Sequence, residues 1–158
     1  MSGLRLGLVV AAAVFVADQA LKYWVVQVYD LAAQGRVPVF PFMDLVMVWN
    51  RGISYGLFQQ DGLVGRLVLL AISLIACGLL IWWLRQPGTR LQAWALGLIL
   101  GGAAGNAVDR LAYGAVADFV LLHAGSFEWY VFNIADAAIV VGVGLLLYGA
   151  VRRDGGPA

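Results

Sequence analysis

Four apolar stretches, each long enough to cross a lipid bilayer as a helix, constrain this chain more than any other feature. They run over about 6–28, 63–84, 91–108 and 131–151. A bilayer core takes about 20 helical residues. Backbone groups in lipid must pair with one another, so these spans are predicted to be helices. Composition agrees: 63% of the 158 residues are hydrophobic and only 12% are charged. Soluble domains run near about half apolar and a quarter charged. The predicted fold class is therefore an all-α integral membrane protein, with residues 1–158 forming a single membrane-embedded domain.

The first span imitates a secretory signal peptide, because Arg5 precedes an apolar run from Leu6 to Ala17. Apolar character resumes after Asp18 and Lys22, through Tyr23 to Val28, and no small-x-small site precedes a polar mature domain. A retained helix is expected. The second and third spans are joined by a short turn, Arg85-Gln-Pro-Gly-Thr-Arg90. Residues 29–62 are longer and carry two β-rich runs, Val37-Pro-Val-Phe-Pro41 and Asp44-Leu-Val-Met-Val-Trp49. They predict a strand-bearing platform at the membrane surface. The loop expected over 109–130 is similar but shorter, and its Phe127, Trp129 and Tyr130 suit the interfacial aromatic belt. Residues 154–158 read as a polar tail.

Net charge is +1, which leaves no clustered basic face for nucleic acid. Cys77 is alone, so no intrachain disulfide can form, and one histidine, His123, is too little for a zinc site. His123 reads as a surface residue. With both termini in the cytoplasm, Arg5, Arg85, Arg90, Arg152 and Arg153 fall inside and Lys22, Arg36, Arg51, Arg66 and Arg110 outside, a tie of five each. The inside charges occupy much shorter segments, which favours that orientation.

Charges at membrane depth cost several kcal/mol and need a reason. Asp18 and Lys22 are four apart on the first helix and share a face. Asn106, Asp109 and Arg110 share a face at the end of the third, and Asn133 and Asp136 share one at the start of the fourth. Because the helices alternate in direction, these groups converge at one membrane surface. Asp118 and Asp136 come from different segments and can face one another across a cleft. Two close carboxylates in a poorly hydrated site share a proton. One then activates water while the other protonates the scissile carbonyl, and no cofactor or metal is required. Structural alternatives stand beside this. Asp18–Lys22 and Asp109–Arg110 can be ion pairs, Asp118 a turn cap, and Asn133 a helix cap. Asp136, about two turns into an apolar region, is hardest to dismiss. A proton-relay transporter and a non-catalytic assembly factor also remain open.

Five blocks resemble the lipoprotein signal peptidases (signal peptidase II), in that family's order and over nearly the whole chain. They are Asp18-Gln-Ala-Leu-Lys22, Asn50-Arg-Gly-Ile-Ser-Tyr-Gly-Leu-Phe58, Gly101-Gly-Ala-Ala-Gly-Asn-Ala-Val-Asp-Arg110, Val116-Ala-Asp-Phe119 and Phe132-Asn-Ile-Ala-Asp136. Ser54-Tyr55 and Ala117 depart slightly from the family's pattern, at positions that do not ionise. The resemblance implies four transmembrane helices, cytoplasmic termini, a small extracytoplasmic β-cradle and a short periplasmic helix or loop. It implies an aspartyl endopeptidase of the bacterial inner membrane, with its site at the outer leaflet and Asp118 and Asp136 as the catalytic pair. Asp18, Lys22, Asn50, Gly52, Asn106, Asp109, Arg110, Asn133 and Ala135 are implied to support that pair or contact substrate. The implied partners are membrane lipids and a prolipoprotein whose cysteine carries diacylglycerol, cleaved just before that cysteine. The chain is expected to act as a monomer. Gly52 and Gly56 would let their loop close over the substrate.

Overall fold

The computed structural model describes residues 2–52 and 62–154. Helix α1, Gly3–Tyr23, starts at Ser2, whose side chain accepts the Arg5 N–H, and runs into a π-helical turn over Trp24–Val28. A one-turn helix α2, Leu31–Gln34, leads to strands β1, Val37–Phe40, and β2, Met43–Asn50. Helices α3, Leu63–Leu84, and α4, Arg90–Tyr113, follow. Strands β3, Val116–Ala124, and β4, Phe127–Glu128, then precede α5, Ile134–Asp154. Four helical segments, 3–28, 63–84, 90–113 and 134–152, are long and apolar enough to cross a membrane.

The strands form one antiparallel sheet in the order β1-β2-β3-β4. All-α is therefore too narrow a class. β-branched and aromatic residues in β2 and β3 put extended backbone beside the bundle, as the two β-rich loops predicted. Several boundaries also differ from the sequence reading, α5 ending at Asp154 instead of near 151 among them. Helix α4 continues to Tyr113 instead of ending near 108, so Asp109 and Arg110 are helical and lie outside the loop expected over 109–130. Their charges find partners within the fold, so the helix need not end before them. It stops where Gly114 adopts φ +76° and returns its N–H to the Arg110 carbonyl. Helix α5 begins at Ile134 and not near 131, because Phe132 is held in extended backbone paired with Val120. Asp136 thus lies in the first helical turn, not two turns in. The first span opens at Gly3.

Helix α4 is central, packing against α1, α3 and α5. Small residues permit this. A Cβ on Gly97 would press on Val10 at 2.8 Å, and one on Gly101 would press on Val14 at 2.8 Å. These positions, four apart, lie on the α1 side of α4. Val25, Leu31 and Phe119 form a buried cluster that fastens the π-helical turn and α2 to the sheet. Since Phe119 adjoins Asp118, this packing fixes the strand that carries the carboxylate. Helix α3, by contrast, turns most of its side chains outward, as a lipid-facing helix does.

Candidate active site

Helix α1 supplies the foundation of the polar cluster. Asp18 and Lys22 are four residues apart, and Lys22 Nζ lies 2.9 Å from Asp18 Oδ2. The same ammonium lies 2.8 Å from Asp109 Oδ2 and donates to Asn106 Oδ1 at 3.0 Å. Its three protons thus have three acceptors on α1 and α4, which is how a lysine only 3% exposed is tolerated. Asp18 Oδ1 accepts the Ala135 N–H at 3.0 Å, and Asp109 Oδ2 accepts the Ala117 N–H at 3.1 Å. The two buried acids therefore hold the backbone of α5 and of β3. Gln19, which the sequence reading passed over, donates to Asp18 at 3.2 Å, to Asp109 at 3.0 Å and to the Gly105 carbonyl at 3.2 Å. Its signal was present: it is a third polar residue inside an apolar span.

Above this floor lie Asp118 on β3 and Asp136 on α5. Asn133 joins them. Its side-chain amide donates to Asp118 Oδ1 at 2.7 Å, and its backbone N–H donates to Asp136 Oδ2 at 3.3 Å. Its side-chain oxygen accepts the Asp136 N–H at 2.9 Å, which closes a reciprocal cap at the start of α5. Further hydrogen bonds run from that amide to Asn106 Oδ1 at 3.2 Å and the Ala117 carbonyl at 3.3 Å. Asn106 in turn donates to Asp136 Oδ1 at 2.9 Å, and Asn50 donates to Asp118 Oδ2 at 3.0 Å. Asn50 also accepts the Gly52 N–H at 3.0 Å. Arg110 reaches over the cluster and donates to the Gly52 carbonyl at 3.1 Å, tying α4 to the segment after β2.

The two carboxylates differ in setting. Asp118 is buried, whereas Asp136 is half-buried. Burial, and then the charge of Asp136, push the Asp118 carboxyl up to about 7, against the opposing hydrogen bonds from Asn50 and Asn133. Asp136 sits at the amino end of α5, where first-turn N–H groups and the helix dipole favour negative charge. Asp18 and Asp109 already share the one ammonium of Lys22, so ionising both Asp118 and Asp136 as well would crowd negative charge into the site. A proton held between the upper pair relieves that excess. Such a pair can pass one proton in each direction across a bound water and a carbonyl.

Each site residue named from sequence within the described residues joins this network, Ala135 and Gly52 through their backbones. Gly56, Ser54 and Tyr55 lie outside the described residues, as do residues 155–158 of the tail expected over 154–158, whose first residue, Asp154, instead ends α5. One expectation is corrected. His123 is only half-exposed, with Nε2 3.2 Å from Asp44 Oδ1. Asp44 also pairs with Arg36, and Arg36 reaches Glu128, which clamps the sheet edge.

The sequence profile described as Signal peptidase (SPase) II matches residues 10–152. A lipoprotein signal peptidase of Nitrobacter hamburgensis is 55% identical over 157 residues, covering 97% of this chain and 96% of that protein. One from Methylorubrum extorquens is 57% identical over 148 residues, with 93% and 86% covered. A solved bacterial membrane enzyme structure, obtained by the in meso method, superposes with a TM-score of 0.83 at 23% identity. It covers 94% of this chain and 89% of that one, and the likeness bears on the fold alone.

Proposed function

The chain belongs to the signal peptidase II family, and from that premise we propose that Asp118 and Asp136 are its catalytic aspartates. The protein is a peptidase that removes signal peptides from prolipoproteins. The observation that carries the residue assignment is the pairing of the two carboxylates through the side chain and backbone of the single residue Asn133.

In this reading Asp136 is the ionised partner and removes a proton from a water held between the carboxyls. The resulting hydroxide attacks the scissile carbonyl carbon. Asp118 gives its proton to the carbonyl oxygen, which leaves a neutral tetrahedral diol. Collapse of the diol returns a hydroxyl proton to Asp118. Asp136 passes its acquired proton to the departing amine as the C–N bond breaks, so both carboxyls end as they began. The titration belongs to the pair as a unit. Asn50, Asn106 and Asn133 hold the carboxyl planes. Asp18, Lys22 and Asp109 hold the backbones beneath them. Arg110, which feels the charge of both aspartates, fixes the segment at Gly52.

The substrate we infer is a prolipoprotein whose cysteine carries diacylglycerol, cleaved just before that residue. A lipid-tailed peptide stays in the bilayer, and in this reading it reaches the half-buried Asp136 laterally, between helices. The cellular site we infer is the bacterial inner membrane, with termini cytoplasmic and the carboxylates at the outer leaflet. Arginine use supports that orientation. On the sheet side Lys22, Arg36, Arg66 and Arg110 are engaged within the fold, whereas Arg5, Arg85, Arg90 and Arg152 at the other end have no acidic partner among the described residues. We infer that the chain acts as a monomer, with the side-chain partners of Asp118 and Asp136 drawn from its own helices and strands.

The test is cleavage of a diacylglyceryl-modified prolipoprotein by the purified protein. Asp118→Asn and Asp136→Asn should each lower turnover by at least about 10³-fold, in line with the loss of general acid–base work. Turnover within tenfold of wild type in either folded variant removes that residue from the chemistry.

A further inference from the structure

At the end of the bundle remote from the carboxylates, α3, α4 and α5 line a cavity of about 390 Å³. Its distance from Asp136 along α5 is roughly 20 Å, from 1.5 Å of rise per residue to Gly149. The wall is apolar, built by Trp83, Leu91 and Leu146, and Gly149 opens it. The rim is polar and carries Thr89 and Gln92. The Thr89 hydroxyl oxygen accepts the Gln92 N–H at 3.1 Å, which leaves its own proton free to donate.

Among the described residues, the charged side chains around this rim are all basic. Arg90 stands between the lining residues Thr89 and Leu91, and Arg85 lies two residues beyond Trp83. The Arg152 guanidinium lies 5.6 Å above the Tyr148 ring, which keeps it beside the helical segment that lines the cavity. These three arginines and Arg5 are exposed and have no acidic partner among the described residues. Every acidic side chain described lies in the half that holds the sheet and the carboxylate cluster.

We propose that the cavity seats an acyl chain of an anionic phospholipid, whose phosphate is held by Arg90 and Arg152 with the Thr89 hydroxyl. Basic groups at the mouth of an apolar gap between membrane helices are the chemistry that retains such lipids. A signal peptide fits this site less well, because its own basic leading region would face cations of the same sign. The proposal needs neither Asp118 nor Asp136, so it stands or falls apart from the peptidase reading.

Native mass spectrometry of the full-length protein in a non-ionic detergent tests it, with phosphatidylglycerol or phosphatidylcholine of identical acyl chains as the probe. One phosphatidylglycerol should be retained in preference to phosphatidylcholine. Arg90→Gln and Arg152→Gln should each weaken that retention about fivefold, the value of one basic contact to an anionic lipid. Gly149→Leu, which fills the gap, should lower retention of both lipids. Signal-peptide cleavage by each variant reports that it remains folded, and if Gly149→Leu fails that check the two arginine variants carry the test. Equal retention of the two lipids overturns the proposal, as does phosphatidylglycerol binding unchanged by either arginine substitution. Displacement of the lipid by one equivalent of signal peptide also overturns it and assigns the cavity to peptide.

Discussion

At the scale of single residues, the proton proposed for Asp118 would set the pH behaviour. A carboxyl held at about 7 is protonated below that pH and ionised above it. In the proposed mechanism kcat/KM therefore falls as pH rises through about 7, toward tenfold per unit. Asn50 donates to the ionised form, so Asn50→Ala should move this alkaline limb to higher pH; a limb unmoved or displaced downward would separate it from Asp118. Asn133 touches both carboxyls, and a hydrogen bond to a charged group is worth about 1.5–3 kcal/mol. Asn133→Ala should lower kcat/KM by roughly 10²-fold, with kcat carrying most of the loss. Steady-state kinetics on the lipid-modified substrate checks both. Much of the cluster was legible because ionisable side chains in apolar spans are costly and must meet. Gln19 was easier to pass over, since an amide beside an aspartate carries no charge penalty and is marked only by being polar in an apolar span. Which carboxyl holds the proton was also hidden, because that depends on burial on β3 against a helix start on α5.

At the scale of elements, the spacing of glycines on α4 determines how close α1 comes, and so where the buried acids lie. A Cβ on Gly105 would sit against the Asp18 carboxylate, which holds Lys22 and the Ala135 N–H. Gly105→Ala should displace Asp18, shift the start of α5 and lower turnover by roughly 10²-fold, the cost of about 1 Å of misplacement at a reacting centre. Gly144→Ala on α5, where a Cβ meets nothing within 4 Å, is the control and should cleave normally. Equal activity in the two variants would show that the glycine does not position the site. The helices were readable from apolar length alone, but their ends were not. Helix α4 outran its expected end because its charges are satisfied inside the fold. Helix α5 started late because Phe132 pairs with Val120 before Asn133 caps the first turn.

At the scale of the whole molecule, the carboxylate cluster and the arginines without an acidic partner among the described residues occupy opposite ends. This polarity gives the orientation argument a form that a count of ten basic residues, split five and five, could not supply. On the sheet side Lys22, Arg36, Arg66 and Arg110 make internal contacts, which only the structure reveals. A fluorescent protein fused after Ala158 should therefore fold and glow in cells, while alkaline phosphatase fused at the same point stays inactive. The reverse pair of results would invert the proposed topology. Sheet and bundle meet at Val25, Leu31 and Phe119, a contact between segments some ninety residues apart that no local pattern in the sequence announces.

The Lys22 hub also bears on how the protein enters the membrane during synthesis. Its partners on α4, Asn106 and Asp109, lie 84 and 87 residues further along the chain. At about 5–20 residues per second the ribosome needs roughly 4–17 s to reach them. Asp18 is available at once, one helical turn back. The first helix can thus leave the translocation machinery as an internally neutralised segment, and the lysine recruits the rest of its partners when the third membrane helix arrives.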